Sequence, residues 1–202
     1  MTNTMETYAQ WHRTPCEITD WLVVSGDLHP DVDVAVEQLR AWQALGITDV
    51  IDVRLEYSDE KFVREHAPEM RYHYLPTDDR GQKQQDEWFD RALEIAQDVR
   101  EREGRCMVHC HLGVQRAPSL AFRLLIEEGM EPIEALNLIR KRRPVAGIGY
   151  AHDAIEHFLK ARKASRREID SWLDRIRRWY ASEDIDLRTV IRAMRVSRDY
   201  GN

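Results

Sequence analysis

Short apolar runs and longer segments of helical periodicity alternate along most of the chain. The runs have the length of buried strands and comprise Trp21–Val24, Asp49–Arg54, Arg71–Pro76 and Cys106–Val108. Apolar residues three or four positions apart predict helices over residues 31–45, 58–66, 86–102, 118–128, 132–143 and 152–160. This alternation predicts an α/β fold, with a single and mostly parallel sheet that carries helices on both faces.

The two ends of the chain differ from this body. Residues 1–14 are polar and weakly patterned, so we expect a loose N-terminal arm before a domain at residues 15–163. Residues 164–202 predict a helical extension with two apolar stripes, which comprise Ile169, Trp172, Leu173, Ile176 and Trp179, then Ile185, Val190, Ile191 and Met194. Appended helices usually pack on the body. They could instead form a homodimer or dock a substrate, and the sequence leaves this open.

Charge and apolar content restrict the classes of partner and location. The 202 residues carry a net charge of −6, which does not indicate a nucleic-acid-binding protein. Residues 160–202 hold twelve Lys/Arg and seven Asp/Glu, against 18 and 29 in the rest, so the extension is basic. Such a surface is typical of a solvated helix and, less often, of a docking element. The sequence has no apolar segment of membrane-spanning length and no signal-peptide pattern, so we expect a cytoplasmic protein without a membrane span.

The stretch from His109 to Ser119 carries the clearest chemical pattern. Cys110 ends an apolar run, and five residues separate it from Arg116. A curled loop of this length directs several backbone N–H groups at one centre, and the following helix adds its positive end. The guanidinium of Arg116 can bind two phosphate oxygens, and these surroundings favour the thiolate form of Cys110. The predicted phosphate-binding residues are His111, Leu112, Gly113, Val114, Gln115 and Arg116.

Two alternatives for this stretch are weaker. His109, Cys110 and His111 are consecutive, so their side chains point to different sides, and no second Cys/His cluster completes a tetrahedral metal site. Four strand residues span about 13 Å, so Cys106 and Cys110 are too far apart for a disulfide without rearrangement. We therefore expect neither a metal ion nor a cofactor.

His109-Cys110, the five-residue gap and Arg116, set between a strand and a helix, resemble the signature of the cysteine-dependent protein tyrosine phosphatase superfamily. The resemblance is to its compact dual-specificity branch, and it covers residues 15–160. The other similar segments are Trp21–Gly26, Leu45–Val53, Tyr72–Leu75 and Trp88-Phe89. The resemblance implies the fold of that family and a phosphatase activity that needs no cofactor.

The resemblance also implies roles for individual residues. Cys110 is expected to attack phosphorus and form a phosphocysteine, while Arg116 and the loop N–H groups stabilise the transition state. The family uses an aspartate some thirty residues upstream as its general acid. Asp79 fits that register better than Asp78, which stays the alternative. His109 either supports the surroundings of the thiolate or is a buried, hydrogen-bonded histidine.

One position departs from the family pattern. The residue after the arginine is usually Ser or Thr, whose hydroxyl helps the thiolate to leave when water breaks the intermediate. Here that residue is Ala117. Ser119 lies two residues further on, at another angle, and is a supporting candidate. We therefore hypothesise that hydrolysis of the phosphocysteine is slow or differently assisted.

The sequence defines the substrate less well. The loop has no lysine, which argues against polyphosphorylated lipids and inositols, and no segment resembles a deep phosphotyrosine-recognition loop. We expect a shallow pocket that admits phosphotyrosine and also phosphoserine or phosphothreonine of proteins. Arg54, Arg80 and Lys83 form either a basic rim or separate solvated charges, and Tyr150 either lines the pocket or packs. The alternatives are a phosphatase of nucleotide, inositol or carbohydrate phosphates, a phosphate-binding module with weak turnover, and a rhodanese-like enzyme.

Overall fold

A single sheet lies at the centre of the computed structural model, which describes residues 4–183 and 185–199. Its strands are β1 (Cys16–Glu17), β2 (Leu22–Ser25), β3 (Asp49–Arg54), β4 (Arg71–Thr77) and β5 (Cys106–His109). Their order is β1-β2-β5-β3-β4. The β1–β2 pair is antiparallel, and the pairs β2–β5, β5–β3 and β3–β4 are parallel. The predicted mostly parallel α/β sheet is therefore confirmed.

Helices surround this sheet. In the described part of the chain they are α1 (Thr4–Ala9), α2 (Val32–Ala44), α3 (Glu60–His66), α4 (Asp86–Glu101), α5 (Arg116–Glu127), α6 (Pro132–Arg142), α7 (Ala151–Ala161), α8 (Arg166–Ser182) and α9 (Leu187–Asp199). Each helix predicted for the body occurs within about two residues of its expected bounds. At the start of α2, the Asp31 carboxylate accepts hydrogen bonds from the backbone N–H groups of Asp33 and Val34, which is why the helix begins there.

The alternation of side chains along the strands divides the core into two layers. Val23, Val50 and Met107 face one side, where they pack with Leu39 and Trp42 of α2. Their sequence neighbours face the other side, against the larger cluster formed with α4 to α7; they are Leu22, Val24, Ile51, Cys106 and Val108. Because both faces are covered, every residue of β3 is buried.

The C-terminal helices pack on the body of the same chain. Ile169, Ile176 and Trp179 of α8 join the main core, and Nε1 of Trp179 donates to Oδ1 of Asn137 at 2.7 Å. The apolar stripe of α9 packs elsewhere, over the loop that follows β5. These contacts use the apolar stripes within one molecule. The domain boundaries at 14 and 163 and a homodimer through these helices stay predictions.

One feature of the N-terminal end was not expected. Residues 4–9, part of the predicted loose arm, form α1, which packs against α9. One and a half helical turns are too short for a periodic pattern, so the sequence carried no signal for α1.

Among the described residues, no helix combines the length and the apolar character that a membrane span requires.

Candidate active site

Cys110 lies at the carboxyl end of β5, the middle strand of the sheet. Its side chain is 2% exposed, and its thiol is free. Residues 110–116 form a tight loop, and Arg116 is the first residue of α5. In parallel sheets this edge is where ligands bind, and the N-terminal end of α5 carries partial positive charge there. The structure therefore brings together the predicted nucleophile, the loop and the arginine.

Gly113 allows the loop to curl. Its φ of 64° is in the left-handed region, and a Cβ there would lie 2.6 Å from the carbonyl oxygen of Ser25. Behind the loop, Nε of Arg143 donates to the Gly113 carbonyl at 2.6 Å, and its Nη2 donates to that of Leu112 at 3.1 Å. Because C=O and N–H of one peptide point in opposite directions, the next N–H groups face away from Arg143. This is the arrangement that an anion requires.

Arg143 also fixes the N-terminal segment to the loop. Its buried guanidinium donates to the carbonyls of Trp11 at 2.9 Å and Thr14 at 3.0 Å. The sequence placed Arg143 only in the basic end of a helix, so this role was missed. Its neighbour Arg142 is exposed.

A buried carboxylate, Asp27, holds His111, the residue after Cys110. Nδ1 of His111 lies 2.6 Å from Asp27 Oδ2, Nε2 of His12 lies 3.1 Å from Oδ1, and the Tyr57 hydroxyl donates to Oδ2 at 2.7 Å. Burial alone would raise the pKa of Asp27, but the hydrogen bonds of His111 and His12 hold it well below the usual range. Asp27 therefore stays ionised and fixes the His111 ring.

Arg116 is held by a carboxylate that the sequence analysis did not identify. Nη1 and Nη2 of Arg116 donate to the two carboxylate oxygens of Glu56, each at 2.8 Å, and Nη1 also donates to the Thr77 carbonyl at 3.0 Å. Nε is buried and has no hydrogen-bond partner among the described residues. A guanidinium has five N–H donors, so the edge formed by Nε and the second Nη2 hydrogen remains for two oxygens of a phosphoryl group.

The two candidate acids differ in their surroundings. Asp79 Oδ2 lies 3.5 Å from Arg116 Nε, and the Tyr150 hydroxyl donates to Oδ1 at 2.8 Å. Burial raises the pKa of Asp79, and this effect outweighs the opposing attraction of Arg116 and the bond from Tyr150. The charges of Glu56 and Asp78 act in the same direction as burial. Asp78 instead accepts from the Asp79 backbone N–H and pairs with Arg80 at 3.3 Å.

His109 lies on the other face of the sheet end and is buried. Neither ring nitrogen has a hydrogen-bond partner among the described residues, and Asp52 Oδ1 is 3.8 Å from Nε2. Burial lowers the pKa of His109, so the ring is neutral. The sequence allowed either a support of the thiolate or a buried, hydrogen-bonded histidine. The ring is buried, as the second interpretation requires, but it lacks the hydrogen bond.

Arg54 belongs neither to a basic rim nor to the solvated surface, so both interpretations were wrong for this residue. Its side chain is fully buried and donates to the Asp52 carboxylate at 2.8 and 2.7 Å and to Asp59 at 2.5 Å. Asp52, Asp59 and His109 are also the one group of the described chain whose ligand atoms lie close enough for a metal ion. The guanidinium of Arg54 is already the cationic partner of both carboxylates and lies where a metal ion would have to bind, so these residues do not fit a second cation.

The hydroxyl of Ser119 is fully engaged. It donates to the Gln115 carbonyl at 2.7 Å and accepts from the Tyr150 N–H at 2.9 Å, while Ala117 is buried. Ser119 thus braces the start of α5 and cannot supply the hydroxyl that is lacking at Ala117. Of the remaining loop residues, the Gln115 side chain packs against Gly149, where a Cβ would lie 2.4 Å from Gln115 Oε1.

These groups surround one recess of about 400 Å³. Its lining includes Glu56, Asp79, Cys110, His111 and Arg116. Helix α9 contributes two further lining residues, Ile191 and Arg195. The predicted nucleophile, phosphate ligand and acid therefore share a single cavity.

Comparison with known proteins assigns the family. The sequence model of the family "Dual specificity phosphatase, catalytic domain" matches residues 33–161, well over half of the chain. The chain belongs to the dual specificity phosphatase family. The predicted family is thus confirmed, and α8 and α9 of this dual specificity phosphatase lie outside the matched residues.

Curated relatives of this dual specificity phosphatase are distant. Dual specificity protein phosphatase 2 of Mus musculus is 27% identical over 134 residues, which cover 65% of this chain and 38% of that protein. Dual specificity protein phosphatase 1 of Homo sapiens is 24% identical over 132 residues, which cover 65% of this chain and 33% of that protein. The chain spans a third or slightly more of the length of these relatives.

Solved structures have the same fold. The human tyrosine phosphatase-like serine/threonine/tyrosine-interacting protein superposes with a TM-score of 0.59 and 19% identity, over 74% of this chain and 98% of that one. Human DUSP28 gives a TM-score of 0.60 and 16% identity, over 74% of this chain and 95% of that one. At these identities the likeness shows the fold alone.

Arg143→Met is expected to lower the free energy of unfolding by more than about 3 kcal/mol, because it leaves several buried carbonyls without donors. Arg143→Lys has fewer N–H donors, so its free energy of unfolding should lie between those of the wild-type protein and Arg143→Met. Arg142→Met removes the same charge from an exposed position and should change stability by less than about 0.5 kcal/mol. Urea unfolding of the three variants measures this, and equal effects of Arg142→Met and Arg143→Met would show that Arg143 is not the anchor.

Proposed function

We propose that this chain is a cysteine-dependent phosphatase that hydrolyses phosphomonoesters through a phosphocysteine intermediate. The observation that carries the proposal is the shared recess, in which Cys110, the free edge of Arg116 and Asp79 all take part. The names of the relatives, dual specificity protein phosphatases, support phosphotyrosine and phosphoserine or phosphothreonine of proteins as substrates. A cytoplasmic location, which suits three unpaired thiols, belongs to the same proposal.

The first step transfers the phosphoryl group to the protein. The free edge of Arg116 and the loop N–H groups bind the non-bridging oxygens, and the Cys110 thiolate attacks phosphorus opposite the leaving oxygen. A P–S bond forms and the P–O bond to the leaving group breaks. The protonated Asp79 gives its proton to that oxygen, so the leaving group departs as a neutral alcohol or phenol.

The second step releases phosphate. The Asp79 carboxylate takes a proton from a water molecule, whose oxygen attacks phosphorus. The P–S bond breaks, and Cys110 leaves as the thiolate. In this scheme Glu56 and Asp27 are positioning residues, because Glu56 holds Arg116 and Asp27 holds His111.

Cys110→Ser is expected to lower the turnover of para-nitrophenyl phosphate by at least about 10³-fold, because serine is a far poorer nucleophile in this setting. The wild-type protein should hydrolyse this compound and phosphotyrosine peptides without added metal, and vanadate should inhibit it. Thermal unfolding of both forms checks that the variant is folded. Full activity of Cys110→Ser would contradict the proposal, as would thiosulfate sulfurtransferase activity without phosphatase activity.

Asp79→Asn is expected to lower kcat/KM for phosphotyrosine peptides by about 10²-fold and to remove the alkaline limb of the pH profile. The protonated carboxyl is the active form, so wild-type activity falls as the pH rises through the pKa of Asp79. Burial raises that pKa, which shifts the fall to higher pH than an ordinary aspartate would give.

The matched control for this experiment is Asp78→Asn, which removes the neighbouring carboxylate. It should keep an alkaline limb, moved slightly to lower pH because the charge of Asp78 helps to raise the pKa of Asp79. Loss of the limb in Asp78→Asn and its retention in Asp79→Asn would reverse the assignment.

Ala117 favours a slow second step, since the Ser119 hydroxyl is engaged elsewhere. A rapid burst of one equivalent of nitrophenol, followed by slower turnover, is expected in stopped-flow measurements. Ala117→Ser should raise the steady-state rate more than the burst rate. Kinetics without a burst, together with unchanged turnover in Ala117→Ser, would contradict the slow second step. A burst followed by almost no turnover would favour the alternative of a weakly active phosphate-binding module.

A further inference from the structure

Helix α9 is seated directly on the phosphate-binding loop. Val190 and Met194 are buried, and they form a separate apolar cluster with Leu112 and Val114 of the loop and with Val145. Residues four apart lie on one face of a helix, so this pair fixes the side of α9 that meets the loop. The orientation of α9 over the recess therefore follows from buried apolar contacts.

The adjacent side of α9 faces the ligand cavities. Ile191 and Arg195, also four residues apart, line the recess above Cys110. They line a neighbouring cavity of about 520 Å³ as well, which includes Tyr150 and borders the same Asp79. Asp79 must reach the leaving oxygen, so the group esterified to the phosphate extends past Asp79. Arg195 thus stands beside the path of that group.

Among the described residues, Arg195 lacks the acidic partner that the other Arg and Lys side chains of the two cavities have. Arg116 is paired with Glu56, Arg80 with Asp78 and Lys83 with Glu156. The Arg195 side chain is exposed, and no acid of residues 7–183 or 185–196 lies within ion-pair distance of it. A solvated cation at a cavity rim attracts an anion of the ligand without first losing a partner.

We propose that Arg195 is a specificity-determining residue that binds a second anionic group of the substrate, next to the scissile phosphoester, while Ile191 packs against the apolar part of the leaving group. This inference rests on the proposed phosphatase function. A carboxylate of a flanking acidic residue and a second phosphoryl group share the required chemistry, because a guanidinium binds both through paired N–H groups. Since α9 lies beyond the family-matched residues, this selectivity would belong to this chain rather than to the family domain.

The test compares phosphotyrosine peptides that differ only beside the phosphotyrosine: glutamine, glutamate or phosphoserine. The measured quantity is the ratio of kcat/KM for each anionic peptide to that for the glutamine peptide. The wild-type ratio should exceed one for at least one anion, and the larger ratio identifies the source of the charge. Arg195→Ala should lower that ratio about three- to tenfold, and Arg195→Glu should bring it below one.

Arg192→Ala is the matched control, because it removes the same charge from an exposed position of α9 that lines neither cavity. It should leave the ratio at the wild-type value. An unchanged ratio in Arg195→Ala, or equal losses in both variants, would overturn the inference. Absence of any Cys110-dependent hydrolysis of para-nitrophenyl phosphate by the wild-type protein would instead overturn the proposed function, so the two failures are distinguishable.

Discussion

The site depends on the direction in which the peptide groups of residues 110–116 face. A loop that directs its N–H groups at an anion must turn its carbonyls the other way, into the protein. There the carbonyls of Leu112 and Gly113 meet the guanidinium of Arg143. Without that donor each buried carbonyl would cost about 1–3 kcal/mol, which would disfavour this conformation of the loop. The proposed chemistry of Cys110 therefore depends on Arg143, which lies buried behind the loop.

Three of the buried arginines, Arg143, Arg54 and Arg116, serve different purposes. Arg143 donates to carbonyls, Arg54 pairs with Asp52 and Asp59, and Arg116 keeps one edge without a hydrogen bond because Glu56 binds the other. The Glu56 carboxylate has a second effect, since its charge raises the pKa of Asp79 across the recess. One side chain thereby orients Arg116, the proposed phosphate-binding residue, and favours the protonated form of Asp79, the proposed acid. The two functions of the site are linked through a single carboxylate.

Local patterns in the sequence predicted the sheet, the helices of the body and the loop, because each depends on neighbouring residues. The interactions that complete the site are long-range, and the sequence carried no signal for them. Glu56 and Arg116 are 60 positions apart, and Arg143 and Gly113 are 30 apart. Arg54 was misjudged for the same reason. A charged residue at a strand end is expected at the surface, and its buried partners, Asp52 and Asp59, are visible only in the structure.

Helix α9 borders the pocket that we expected to be shallow. The family-matched residues end at 161, so the body alone supplies the loop, the acid and the arginine. The extension adds one wall, which is anchored on Leu112 and Val114 of the loop itself. Because α9 packs on the loop, the proposed substrate contacts on α9 act on the same element that carries Cys110. Under the proposed function, contacts of the leaving group with α9 contribute to the orientation of the phosphoryl group, and the apolar contact between α9 and the loop couples selectivity to reactivity.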